Sequence, residues 1–180
     1  MDGIPKRGEI ALVVIDVQEK FRPAIFEMSR VIDNCSKLIK AFRIFGMPVI
    51  ITEQYPQGLG PTVPELAQLV DITPIQKNEF SCFDCARFTD ALPSHIRGLV
   101  ICGIEAHVCI LQTVLDAIHK GYEVYMVEDA ISSRKENDWR AAAVRAGQSG
   151  AYRVSTEMII FQLMGRAGTD EFKEIQELIR

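Results

Sequence analysis

Three side chains far apart in the chain carry types that could do chemistry together: Asp16 in VVIDVQEKF, Lys77 in KNEFSCF and Cys109 in GIEAHVC. Each follows a short apolar run. A thiol is a nucleophile once deprotonated, a nearby ammonium lowers its pKa, and a carboxylate can take its proton. That combination suits attack on a carbonyl with a thioester to follow. Taken singly, each residue also has an ordinary reading: an aspartate at a strand end caps a loop or helix, and a lysine is a solvated charge. Cys109 is harder to read that way. At about 100° per residue, Val108, Ile110, Leu111, Val114, Leu115 and Ile118 share one half of a helix, and Cys109 falls with Gln112, Thr113, Asp116, His119 and Lys120 on the other. Free cysteines are usually buried, whereas the first turn of a helix, with its open N–H groups and positive dipole end, favours a thiolate.

The elements that would position these groups alternate along the chain. Glu9 to Val17, Pro48 to Thr52, Ile72 to Gln76, Leu99 to Cys102, Tyr122 to Val127 and Ala151 to Ser155 read as six strands. The first and fourth are nearly continuous apolar runs, as expected of strands buried on both faces. Ser29 to Gly46, Pro64 to Val70, a stretch ending near Leu92, the segment after Val108, Glu136 to Gln148, Glu157 to Met164 and Asp170 to Arg180 read as helices. Glu53 to Thr62, rich in Gly and Pro, reads as an irregular loop. Such alternation predicts an α/β domain with a mainly parallel sheet and right-handed crossovers. Ligands then bind beyond the carboxyl ends of the strands, where strand order reverses. Asp16, Glu53, Gln54, Lys77 and the GIEAHVC turn all occupy that rim.

With 180 residues and no repeat or linker, the chain suits a single domain, 1–180. Its 20 Lys and Arg against 24 Asp and Glu form no basic run, which argues against a nucleic-acid partner and leaves a small-molecule substrate. No stretch reaches membrane-span length, and charges run into the first apolar segment, unlike a secretory signal; a cytoplasmic protein with no membrane partner is expected. Five cysteines without framework spacing suit free thiols in a reducing compartment. Cys82 and Cys85 match C-x-x-C, but no second pair completes a zinc site and no strand leads straight into the first of them for thioredoxin-like chemistry.

Together the three motifs resemble the isochorismatase-like cysteine hydrolases, which include nicotinamidases and N-carbamoyl amidohydrolases. TEQYPQGLGPTVPEL, GIEAHVCILQT and QSGAYRVSTEMIIFQL are most similar to the isochorismatase domain-containing branch. The resemblance covers nearly the whole chain. It implies a six-stranded parallel sheet with helices on both faces, Cys109 as nucleophile, Asp16 as general base and Lys77 in charge balance with both. It also implies a non-proline cis peptide at Ile104-Glu105, an oxyanion hole from the N–H groups of Glu105 and Cys109, and a homo-oligomer, dimer or higher. Nicotinamidases hold a metal with Asp and several His after the second strand. Here the three histidines are His95, His107 and His119, none in that loop, so no metal and no other cofactor is expected.

Retention of the thiol favours acyl transfer over the vinyl-ether cleavage of siderophore-pathway isochorismatases. A small amide or carbamoyl compound is the expected substrate, with a catalytically idle binding module as the alternative. Gln18, Phe21, Gln54, Tyr55, Phe80, Phe83 and His107 flank the motifs and are candidate pocket residues. Arg134 and Trp139 lie in a charged segment placed to cover the site or meet a neighbouring subunit.

Overall fold

A computed structural model describes residues 3–179. Its centre is a six-stranded parallel sheet, β1 (Ile10–Ile15), β2 (Val49–Gln54), β3 (Ile75–Lys77), β4 (Gly98–Ile104), β5 (Glu123–Ser132) and β6 (Tyr152–Val154), in the order β3-β2-β1-β4-β5-β6. The order reverses between β1 and β4. Successive β1 residues alternate between two cores: Ile10, Leu12 and Val14 join one, and Ala11, Val13 and Ile15 the other. This two-sided burial is why the strand reads as an unbroken apolar run.

The first core packs against α1 (Met28–Ile44), α7 (Thr156–Met164) and α8 (Asp170–Ile179). The second packs against α4 (Ala86–Ala91), α5 (Leu111–His119) and α6 (Glu136–Gln148). Two single-turn helices, α2 (Pro56–Leu59) and α3 (Pro64–Ala67), lie between β2 and β3.

β5 runs on to Ser132, past the expected end at Val127, and α3 stops at Ala67, short of Val70; three further boundaries differ beside the site. β3 begins at Ile75 rather than Ile72, because Pro74 has no N–H to give a ladder and β2 pairs only from Ile75 onward. Lys77 is therefore the last residue of the strand, paired with Gln54. β2 runs on through Glu53 and Gln54, beyond the end at Thr52 that the sequence suggests and into the expected loop. The rest of that loop is not wholly irregular: Pro56 starts α2, its fixed φ suiting the first helical position.

At the reversal point the two strands come very close. Gly103 sits opposite Ile15 at φ 114°, and a Cβ built there would lie 2.1 Å from the Ile15 carbonyl oxygen. Only glycine fits this position. The next peptide but one, Ile104-Glu105, is cis, and the chain then enters a π-helical turn over Ala106–Ile110.

Candidate active site

Asp16 leaves β1 in the left-handed region, φ 55°, with its N–H bonded to the Thr52 carbonyl. Its carboxylate is 1 % exposed and fully engaged. Oδ2 accepts from Lys77 Nζ at 2.7 Å and Oδ1 from Thr52 Oγ1 at 2.7 Å. Lys77 Nζ also donates to Gln54 Oε1 at 2.8 Å and to the Glu79 carbonyl at 3.1 Å. Burial pulls the lysine's pKa down, but the charge of Asp16, followed by the neighbouring thiols, more than offsets it, and the net direction is upward. Lys77 is a buried ammonium with its counter-charge in contact.

Cys109 lies in the π turn, where the Ile110 N–H reaches back five residues to the Glu105 carbonyl. This turn overturns the expectation that Cys109 falls on the polar half of a regular helix. A projection at 100° per residue fails where the chain is wound more widely, and Cys109 is only 6 % exposed, within the second core. Its sulfur lies 4.0 Å from Gln54 Oε1, the same oxygen that binds Lys77. Asp16, Lys77 and Cys109 thus meet at one point above the β1–β4 gap.

The expected lowering of the thiol's pKa is also corrected. Burial pushes the Cys109 thiol well above its ordinary value, the Asp16 carboxylate adds to the rise, and Lys77 only partly opposes them. The resting group is a thiol with a proton to give, and Asp16 is the nearby anion.

The candidate pocket residues divide. Gln18 is a clamp inside the fold: it is fully buried, its amide donates to the Gln54 and Gly60 carbonyls, and its Oε1 accepts from Gln54 N–H. Phe83 is core, edge-on to Phe88 with ring centroids 5.3 Å apart and beside Tyr122. Phe21 packs against the first core, on the α1 side. Tyr55 and Phe80 are both more than half exposed, and Tyr55 borders a cavity of about 490 Å³ that also touches Lys77, Asn78 and Arg87. His107 hydrogen-bonds through Nδ1 to Ser133 Oγ at 2.9 Å.

The segment holding Arg134 and Trp139 closes over the turn. Arg134 gives its N–H and its Nε to Glu105 Oε2, at 3.2 and 2.9 Å, and Trp139 packs near Phe26 with the Arg30 guanidinium over its ring. Cys82 and Cys85 are buried free thiols, and Cys82 shares the site's electrostatics: burial pushes its thiol to about 12, with Lys77 pulling against the rise. Sequence reasoning missed Thr52 and Ser133. The pairing of Ile15 with Thr52 could have found the first, since it sets Thr52 beside the residue before Asp16. Nothing in the sequence marks Ser133.

The Isochorismatase domain family matches residues 10–158. Isochorismatase domain-containing protein 2A of Mus musculus is 41% identical over 94% of this chain and 82% of its own length. The secreted isochorismatase effector Isc1 of Phytophthora sojae is 39% identical over 94% of this chain and 83% of its own. Among solved structures, the MAR1 ribonuclease of Caenorhabditis elegans superposes with a TM-score of 0.92 at 40% identity, covering 97% of this chain and 91% of that one. Among the described residues, no helix is long and apolar enough to cross a membrane.

Proposed function

Because the chain belongs to the isochorismatase family, we propose that it is a cysteine hydrolase that cleaves the C–N bond of a small amide or carbamoyl compound, with Asp16, Lys77 and Cys109 as its catalytic residues. One observation carries this reading: the Cys109 sulfur lies against the same Gln54 oxygen that binds Lys77, and that lysine is ion-paired with the buried Asp16 carboxylate. As the substrate carbonyl approaches Sγ, the thiol proton passes to Asp16 and the C–S bond forms. The N–H groups of Glu105 and Cys109 receive the developing oxyanion. Asp16 returns the proton to the leaving nitrogen, the C–N bond breaks and a thioester remains. Water then attacks the thioester, gives its proton to Asp16 and displaces the sulfur, which takes that proton back.

The test is ammonia release from a panel of small amides and carbamoyl compounds. Turnover that disappears in Cys109→Ala supports the reading, and equal turnover in that variant removes the covalent mechanism. The C. elegans relative is described as a ribonuclease, so RNA joins the panel, although a net charge of −4 gives little attraction for a polyanion. The raised thiol pKa favours a second reading, an idle binding module. That reading predicts ligand binding with no turnover of any panel member. Five free thiols suit the cytoplasm, while the secreted P. sojae relative serves another compartment. A homo-oligomer is the proposed assembly, measured directly by solution mass.

A further inference from the structure

Gln54 belongs to neither class of group expected at the rim. It is not a charge, and it does not simply line a cavity. Every polar atom of the residue has a partner that fixes it. Its backbone N–H and carbonyl are clamped by the two ends of the Gln18 amide, at 2.8 and 3.0 Å. Its own Nε2 donates to the Asn78 carbonyl at 2.8 Å. That bond leaves Oε1 facing inward, where it accepts from Lys77 Nζ at 2.8 Å and lies 4.0 Å from Cys109 Sγ. A neutral amide oxygen therefore stands where an ammonium would otherwise approach the sulfur.

We propose that Gln54 is a positioning residue: its Oε1 takes the Lys77 N–H that Cys109 would otherwise receive, and accepts the thiol proton's hydrogen bond, so that the resting protein holds a thiol rather than a thiolate. The proposal rests on the reading of Cys109 as nucleophile. The charged and titratable groups that act on the thiol are Asp16 after β1, Lys77 at the end of β3 and Cys82 in the segment that follows, and the Gln54 oxygen from β2 stands 4.0 Å from the sulfur in their midst. Two consequences have the same sign. Without the amide oxygen, a lone-pair partner that favours S–H over S⁻ is lost, and Lys77 is freed to donate to S⁻ instead. Both make the thiol easier to ionise. A carboxylate at the same place does the opposite, since it adds negative charge beside the sulfur.

The experiment is alkylation with iodoacetamide at pH 8, read peptide by peptide, on the wild type, Gln54→Met and Gln54→Glu. Gln54→Met should label Cys109 about tenfold faster, the effect of roughly one pKa unit, with labelling confined to that cysteine. Gln54→Glu should label it more slowly than the wild type. Equal rates in all three proteins, or faster labelling in both variants, overturns the proposal. So does labelling that spreads to the buried Cys82 in Gln54→Met, because Gln54 would then be holding the fold together and not the thiol's environment. Alkylation needs no turnover, which separates the two failures: a Cys109→Ala protein that still releases ammonia defeats the proposed function, and leaves the Gln54 result standing.

Discussion

The two walls of the gap between β1 and β4 are built differently. On the β1–β2–β3 side, side chains do the work: Asp16, Thr52, Gln54 and Lys77 form one hydrogen-bonded cluster with the ion pair almost entirely out of water. On the β4–β5 side the backbone does it. Gly103, the cis Ile104-Glu105 peptide and the π turn shape the chain around Cys109, and Glu105, His107, Ser133 and Arg134 hold that shape from outside. The difference teaches where each wall is vulnerable. A charged wall fails when one partner is removed, because the other is left buried and uncompensated. A backbone wall tolerates changes in its supporting side chains and fails only when the path of the chain itself changes.

The largest expected effect comes from Lys77→Met. It strands Asp16 without its counter-charge, and should cost about 3–5 kcal/mol in urea unfolding as well as the activity. If stability is unchanged, the charged wall is not a unit.

Asp16→Asn sharpens the contrast by separating ionisation from catalysis. Turnover should fall by about 10²–10⁴-fold for want of the base, while iodoacetamide labels Cys109 faster at pH 8, since a group that raises the thiol's pKa has lost its charge. Slower labelling would mean that Asp16 is not what keeps the thiol protonated.

A third effect is a pH dependence of stability. The Cys82 thiol, pushed up to about 12 in the fold, ionises first in the unfolded chain, near its ordinary 9.0. Its contribution is complete below pH 9 and is lost between pH 9 and 12, by about 1.4 kcal/mol per unit, on the order of 4 kcal/mol in all. Unfolding curves at pH 8 and 11 should converge in Cys82→Ala relative to the wild type. An identical pH slope in the two proteins would place this loss elsewhere.

The smallest effect tests the backbone wall. Arg134 is 60 % exposed in its ion pair with Glu105, so Arg134→Ala should cost less than about 1 kcal/mol of stability. It should still lower kcat, by about tenfold, through looser placement of the turn. A loss of stability as large as that of Lys77→Met would erase the distinction between the walls.

How far each wall can be read from sequence follows the same division. Asp16, Lys77 and Cys109 announce themselves by type and by position after apolar runs, and the strand and helix alternation led to the observed sheet class. Pro74 was visible too, yet the apolar Ile72 before it drew the strand boundary three residues early. The wrong expectations about chemistry centre on Cys109. Its burial depends on a π turn, which leaves no pattern in residue type, and its raised pKa depends on that burial. Proximity in the chain puts Gln18 and Phe83 beside the motifs and suggests a pocket. Only the fold reveals that one is a clamp on β2 and the other is packed against Phe88 and Tyr122.

The π turn has one further consequence. Its five-residue span holds one residue more than an ordinary turn, and this extra residue sets the phase between the sulfur and the stripe of α5, Val114 and Ala117, that is seated in the second core. Deleting Ile110, which stands between Cys109 and α5, would shorten the turn to an ordinary helical one but rotate one of these by about 100° against the other. Either the nucleophile would swing aside or the helix would unseat. Length, more than composition, is what this segment must keep.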